Sequence, residues 1–170
     1  MKTSGKALAL VLVVTTIGCD RVTKHLATTN LAGMPRQSYF ADTLRLEYAE
    51  NTGAFLSLGA GLPAWVRTSL FTVGVGIALT LIALAVFKRR WVGLAFVGAT
   101  LMWAGGVSNL VDRLVRGSVV DFMNVGVGSL RTGIFNVADV AIMVGAALFV
   151  IGCHSRRGGG GNRRLWFDGA

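Results

Sequence analysis

Four apolar stretches, separated by shorter polar segments, dominate the pattern of hydrophobic and polar positions along the chain. The clearest is residues 68–87, which contains no charged side chain and is as long as an α-helix must be to cross a membrane. Residues 91–111 and 134–153 are interrupted by only a few polar positions. Glycines within these stretches would allow the helices to approach closely. The pattern predicts a membrane protein built from packed, membrane-spanning helices.

The first apolar stretch, residues 7–19, is shorter than the ~20 residues that a span requires. Two lysines precede it and the sequence Thr-Ile-Gly-Cys ends it, so a cleaved lipoprotein signal peptide is one interpretation. The other is an uncleaved first helix that Asp20 to Lys24 close, extended to about residue 26. We favour this helix because further spans follow. Asp20 and Lys24 would share one of its faces and could pair, although a solvated helix end explains them as well.

The segment between the first two apolar stretches has a different pattern. Apolar and polar residues alternate at 43–48, which is typical of a half-buried strand, and Asn51-Thr52-Gly53 predicts a turn. We therefore expect a small extracytoplasmic β-element at about residues 40–60. Within it Phe55 and Leu56 would contact lipid or substrate; the alternative is a surface loop. The predicted fold is an all-α membrane protein with four transmembrane helices, at about 7–26, 66–87, 91–111 and 134–153, in one domain of residues 1–155.

Composition and charge agree with this class of protein. The chain is 53% hydrophobic and 15% charged, whereas soluble domains have about 25% charged residues. The net charge of +9 does not indicate a nucleic-acid partner, because the cations cluster at the ends of apolar stretches, as membrane topology requires. Four spans would put both termini on one side, and the clustered cations predict that this side is cytoplasmic. Residues 156–170 form a basic, glycine-rich tail that we expect to be disordered.

Candidate chemistry is concentrated in two carboxylates with apolar neighbours, Asp121 and Asp139. An ionisable group inside an apolar stretch is costly and usually functional. Two nearby carboxylates that share one proton can activate water and polarise a carbonyl, as in aspartic proteases. Asn136 is expected to cap the fourth helix, with Asp139 in its first turn. The helix dipole would favour an acid there even without a catalytic role.

The third helix would carry a polar face if it continued beyond residue 111. Asn109, Asp112, Arg113 and Arg116 follow the spacing of one helical face, and Asp112 could pair with Arg116. Asp121, after the glycine at 117, would then come from a strand or loop. The two cysteines lack metal-ligand spacing, and the chain has no phosphate-binding loop. We expect neither a metal nor a cofactor.

Taken together, these polar blocks resemble the lipoprotein signal peptidases (signal peptidase II), from residue 20 to about residue 144. The blocks are Asp20-Arg21-Val22-Thr23-Lys24, Glu50-Asn51-Thr52-Gly53-Ala54-Phe55, Asn109-Leu110-Val111-Asp112-Arg113, Gly117-Ser118-Val119-Val120-Asp121-Phe122 and Phe135-Asn136-Val137-Ala138-Asp139. The resemblance implies an aspartyl endopeptidase of the bacterial inner membrane, active near the periplasmic face. It would cleave diacylglyceryl-modified prolipoproteins before the lipidated cysteine, beside a surface β-cradle, without metal or cofactor.

By position, Asp121 and Asp139 match the catalytic pair of that family. The resemblance also implies supporting or substrate-binding roles for Asp20, Lys24, Asn51, Gly53, Asn109, Asp112, Arg113 and Asn136. Ser108 departs from the pattern, since glycine commonly stands before the asparagine. Beyond the substrate and membrane lipid no partner is implied, so we expect a monomer. Two alternatives remain: a small ion- or proton-coupled transporter that uses Asp139, and a paralogue that binds lipoprotein precursors without cleaving them.

Overall fold

The computed structural model describes residues 3–53, 63–89 and 92–158 of the chain. The predicted lipid or substrate contacts of Phe55 and Leu56, and residues 159–170 of the predicted tail, lie outside this part. The described residues form helices α1 (Thr3–Leu31), α2 (Ala64–Arg89), α3 (Leu94–Arg116) and α4 (Val137–Gly158). They also form strands β1 (Gln37–Tyr39), β2 (Leu44–Asn51), β3 (Val119–Val127) and β4 (Leu130–Arg131).

The helices extend beyond several of the predicted boundaries. Helix α1 continues to Leu31, so the expectation that Asp20 to Lys24 close it was wrong. The segment lies well inside the helix, and the side chains of Asp20 and Lys24 are buried with partners on α3. Helix α3 does continue past residue 111, as its polar face predicted, and α4 runs into the predicted tail as far as Gly158.

Within the described residues, two helices have both the length and the apolar composition needed to cross a membrane, Leu94–Arg116 and Val137–Ser155. Helix α2 contributes a shorter apolar stretch, Thr72–Val86, among its described residues. Helix α1 spans about 43 Å at 1.5 Å per residue, but it carries charged residues near its centre. The structure therefore has a mostly helical architecture with two candidate spans, and the number of four remains a prediction.

The strands form one antiparallel sheet in the order β1-β2-β3-β4. Of these described strands, the predicted β-element at about residues 40–60 contains β2. Strand β1 lies just before that range, and β3 and β4 come from the segment between the third and fourth helices. Strand β2 has one extra residue between Leu46 and Ala49, and beyond this bulge Ala49 lies opposite Asp121. A bulge bends a strand and redirects its side chains, here close to Asp121.

The sheet is joined to the start of α4 by Phe135. Its backbone pairs with Met123 of β3, with N–H···O distances of 2.9 and 2.8 Å. Asp121 precedes Met123 by two residues, and Asp139 follows Phe135 by four. This bridge therefore brings the two carboxylates to the same place.

Helices α3 and α4 pack backbone against backbone through glycines. A Cβ atom added to Gly98 would lie 2.5 Å from the carbonyl oxygen of Gly145 and 2.5 Å from the nitrogen of Phe149. One added to Gly105 would lie 2.5 Å from the carbonyl oxygen of Ala138, at the start of α4. This packing fixes the first turn of α4 against the C-terminal half of α3.

Candidate active site

Asn136 and Asp139 cap the N-terminus of α4 reciprocally. The Oδ1 atom of Asn136 accepts a hydrogen bond from the backbone N–H of Asp139 at 3.0 Å. In return, Oδ2 of Asp139 accepts from the backbone N–H of Asn136 at 3.1 Å. This is the geometry of a capping box, and it confirms the predicted cap. The amide of Asn136 also donates from Nδ2 to Oδ1 of Asp121 at 2.6 Å. Asn136 therefore bonds to the carboxylate of Asp121 through its side chain and to that of Asp139 through its backbone N–H.

Asp121 is 3% exposed and is held by two amide groups. Besides the contact with Asn136, its Oδ2 atom accepts from Nδ2 of Asn51 at 2.9 Å. Asn51 is itself oriented by Gly53, whose backbone N–H donates to its Oδ1 at 2.9 Å. Burial raises the pKa of Asp121 to about 6, and the nearby charge of Asp139 contributes to the rise, against the effect of the two amide donors. Asp121 therefore keeps its proton at pH values where an ordinary aspartate is ionised.

Asp139 is bound on its other oxygen by Asn109 of α3. Nδ2 of Asn109 donates to Oδ1 of Asp139 at 2.9 Å, and its Oδ1 accepts from Nζ of Lys24 at 2.8 Å. An asparagine amide can be rotated by half a turn without changing its shape, so its partners decide which end points where. The ammonium group of Lys24 can only donate, and it thereby fixes the donor end of Asn109 towards Asp139.

A cavity of about 10 Å³ separates these groups, which is close to the space that one water molecule needs. Both carboxylates line it, and the other lining residues are Asn51, Asn109, Arg113, Val119 and Ile134. The guanidinium of Arg113 donates from Nη2 to the carbonyl oxygen of Gly53 at 2.9 Å. Its buried Nε has no hydrogen-bond partner among the described residues. The site thus combines two acids, amide donors and one cation around a water-sized space.

A buried ionic network lies directly behind the cavity. Lys24 pairs with Asp20 and with Asp112, each at 2.7 Å. Asp20 is fully buried, and its Oδ1 accepts from the backbone N–H of Ala138 at 2.9 Å. The interpretation of Asp20 and Lys24 as a solvated helix end was therefore wrong. Asp20 and Lys24 are both buried and hydrogen-bonded, and the bond from Ala138 to Asp20 connects α1 to the first turn of α4.

Asp112 also differs from its predicted pairing. Instead of Arg116, which is exposed, it pairs with Arg21 of α1 at 2.5 Å as well as with Lys24. The reason is that the helical face carrying Asp112 packs against α1, where two cations are within reach. The structure thus brings the predicted supporting residues of α1, α3 and α4 into one cluster with the two carboxylates.

The sequence did not single out Arg21 or Ser108 as members of this site. Ser108 donates from Oγ to Oδ2 of Asp20 at 2.6 Å and is 1% exposed. Arg21 donates from Nη2 to the carbonyl oxygen of Ser108 at 2.9 Å. Arg21 and Lys24 are three residues apart, so the spacing of a shared helical face was the signal for Arg21. Ser108 gave no chemical signal, because a serine in an apolar stretch commonly bonds to its own helix.

A family model and several named relatives of this chain point to one family. A family model described as signal peptidase (SPase) II matches residues 12–154. A lipoprotein signal peptidase of Hydrogenovibrio crunogenus is 38% identical over 147 residues, covering 85% of this chain and 81% of that protein. A lipoprotein signal peptidase of Escherichia coli O157:H7 is 36% identical over 140 residues, covering 82% of this chain and 85% of that protein.

Two solved structures have a similar fold. One, a bacterial membrane enzyme determined by the in meso method at 2.3 Å resolution, superposes with a TM-score of 0.80 at 22% identity, over 94% of each chain. The other, determined by the same method at 1.9 Å, has a TM-score of 0.73 at 23% identity, covering 86% of this chain and 92% of that one. The match to the family model and the identity to its members extend over most of the chain, and on these grounds it belongs to the signal peptidase II family.

Proposed function

We propose that this chain is a lipoprotein signal peptidase in which Asp121 and Asp139 are the catalytic pair. The observation that carries the proposal is the water-sized cavity that both carboxylates line. Its relatives in Hydrogenovibrio and Escherichia are named lipoprotein signal peptidases, which supports a prolipoprotein as the substrate. The chain would hydrolyse the peptide bond just before the diacylglyceryl-modified cysteine.

In the proposed mechanism the pair holds a single proton. The ionised carboxylate removes a proton from a water molecule while the protonated one donates a hydrogen bond to the scissile carbonyl. Attack of the water oxygen on the carbonyl carbon, with transfer of the acid's proton to the carbonyl oxygen, gives a tetrahedral diol. The C–N bond then breaks as the carboxyl group that took the proton of the water delivers it to the departing cysteine nitrogen, while the other carboxylate takes a proton from a diol hydroxyl. The products are a carboxylic acid and a free amine, and the pair again holds one proton.

Asp121 is the better candidate for the protonated member before attack. Its pKa, raised to about 6, keeps it largely protonated in mildly acidic solution. Both carboxylates accept hydrogen bonds at both oxygens, but Asp139 also lies in the first turn of α4, where the helix dipole favours negative charge. Arg113 adds positive charge beside the cavity and would stabilise negative charge that develops on the diol oxygen.

The proposal extends to the arrangement in the membrane. All four helices would cross the bacterial inner membrane, within one domain of residues 1–155, with both termini in the cytoplasm. Asp121 lies in β3, shortly after α3 ends, and Asp139 lies in the first turn of α4, so this end of the two helices would be at the periplasmic face. A scissile bond at the bilayer surface could reach the site there, while the lipid chains of the substrate stayed among membrane lipids. The antiparallel sheet beside the site would serve as the β-cradle for the extended peptide, in a monomeric enzyme.

The test is cleavage of a diacylglyceryl-modified prolipoprotein by purified protein in detergent, followed as a shift on a gel. We expect the parent to cleave, and Asp121→Asn and Asp139→Asn to lose activity by at least about a thousandfold. Asp42→Asn is the matched control, because that carboxylate lies in the turn between β1 and β2, bonded to Ser38 and Arg45. It should cleave at the parental rate.

Size-exclusion profiles and thermal unfolding of each variant separate loss of chemistry from loss of folding. A folded Asp139→Asn variant with near-parental turnover would show that the chemistry does not need this pair. A folded parent without cleavage would instead favour a paralogue that binds precursors, or a transporter, and ion flux into proteoliposomes would distinguish these two.

A further inference from the structure

A second cavity lies at the other end of the helical bundle, far along α3 from the carboxylates. It has a volume of about 340 Å³ and is formed by α1, α2 and α3. Its lining residues are Lys6, Ala9, Leu10, Val13, Ala83, Val86, Phe96, Ala99, Thr100 and Trp103. We propose that this groove binds an anionic phospholipid of the leaflet at which α1 begins, with one acyl chain in the groove and the phosphate at Lys6.

The interior of the groove suits a hydrocarbon chain. The lining residues from α3 follow the spacing of one helical face, and three of them, Phe96, Ala99 and Thr100, are buried. The hydroxyl of Thr100 donates to the carbonyl oxygen of Phe96 at 2.8 Å, so it does not need a partner inside the groove. Apart from Lys6 and the indole N–H of Trp103, the other described lining residues have apolar side chains, so the groove would favour CH₂ groups.

Charge identifies which kind of lipid fits. Lys6 is exposed, lies in the second turn of α1 and is the charged residue among the described lining residues. In the sequence, a run of three basic residues, Lys88-Arg89-Arg90, begins two residues after the groove residue Val86. Basic pockets between membrane helices on the cytoplasmic side are typical binding sites for anionic head groups.

The position of Trp103 along α3 suits a bound acyl chain. Trp103 lies nine residues beyond the first residue of α3, or about 13 Å along its axis at 1.5 Å per residue. That distance is close to half of the ~30 Å hydrocarbon core. A phosphate bound at Lys6 would therefore allow its acyl chain to run beside Trp103 to the middle of the bilayer.

The experiment uses Trp103 as the reporter of groove occupancy. The other three tryptophans, Trp65, Trp91 and Trp166, are replaced by phenylalanine, and the full chain is reconstituted in phosphatidylcholine vesicles. Phosphatidylglycerol or phosphatidylcholine with bromines in mid-chain is then added at equal, low mole fractions. We expect quenching by phosphatidylglycerol to reach half-saturation at about a fivefold lower mole fraction than quenching by phosphatidylcholine. This is the ratio expected for one lysine near an anionic head group.

Two variants decide whether the groove and its charge are responsible. Lys6→Gln should abolish the preference for the anionic lipid, whereas the matched control Arg36→Gln, which removes an exposed charge after the other end of α1, should keep it. Ala9→Leu should fill the groove and reduce quenching by both lipids. Equal quenching by the two lipids, or a preference that survives Lys6→Gln, would overturn the proposal. The measurement needs no prolipoprotein, so its outcome is independent of the peptidase proposal.

Discussion

Asn51 offers a direct way to shift the titration of the proposed catalytic pair. Its Nδ2 donates to Oδ2 of Asp121 at 2.9 Å, and this hydrogen bond favours the ionised carboxylate. A hydrogen bond to a charged group contributes about 1.5–3 kcal/mol, and one pKa unit corresponds to 1.36 kcal/mol. Asn51→Leu, which keeps the approximate volume but removes the donor, should therefore raise the pKa of Asp121 from about 6 by about 1–2 units.

The assay is the pH dependence of prolipoprotein cleavage in detergent. Because the two carboxylates titrate as a pair, the profile reports values that belong to both. We expect the profile of Asn51→Leu to move to higher pH by about 1–2 units, with a lower maximum because Asp121 loses an orienting contact. Asn30→Leu is the matched control, since Asn30 is exposed and bonds only to the carbonyl oxygen of Leu26 among the contacts described. An unchanged profile, or a shift to lower pH, would refute the assignment of Asn51 as a donor to an ionising Asp121.

Three further predictions test the surroundings of the pair. Folded Asp121 holds its proton to about pH 6, whereas an unfolded aspartate holds it only to about pH 3.8. The free energy of unfolding should therefore fall by about 3 kcal/mol as the pH rises between these two values, and Asp121→Asn should flatten this slope in denaturant titrations. Ser108→Ala removes the 2.6 Å bond to Asp20, so it should cost about 1.5–3 kcal/mol of unfolding free energy, and Ser108→Thr should restore part of it if the hydroxyl matters. Gly98→Val should separate α3 from α4 and lower both the thermal unfolding temperature and the cleavage activity. Gly18→Ala is the control, because a Cβ added there meets nothing within 4 Å, and it should leave both measurements unchanged.

The parts of the fold that depend on local pattern could be predicted from the sequence. The cap of α4 is one case, because an asparagine followed three residues later by an acid is a local signal for a helix start. The continuation of α3 past residue 111 is another, since the polar residues recur at helical spacing. Both features are set by neighbours within one turn of helix, so no knowledge of distant residues was needed.

The parts that depend on distant contacts could not be predicted in the same way. The sequence predicted only that Asp121 lies in a strand or loop, whereas it belongs to β3, which pairs with β2 and continues to Val127. Its apolar residues do not alternate with polar ones, because it is buried over its first half against α1 and the sheet. The pairing of Asp112 was missed for the same reason, since i, i+4 spacing suggested Arg116 while α1 supplied Arg21 and Lys24.

The charges behind the site illustrate why helix packing decides such pairings. Asp20 and Asp112 are balanced by Lys24 and Arg21, so the formal charge of this group is zero. An isolated buried charge would cost several kcal/mol, and removing one member leaves another unpaired. The four residues therefore stabilise the fold only when α1 and α3 are packed together, and that same packing holds Lys24 against Asn109. The ionic network therefore forms together with the orientation of the Asn109 amide that binds Asp139. As a result, the geometry of the proposed catalytic pair depends on residues that do not contact it.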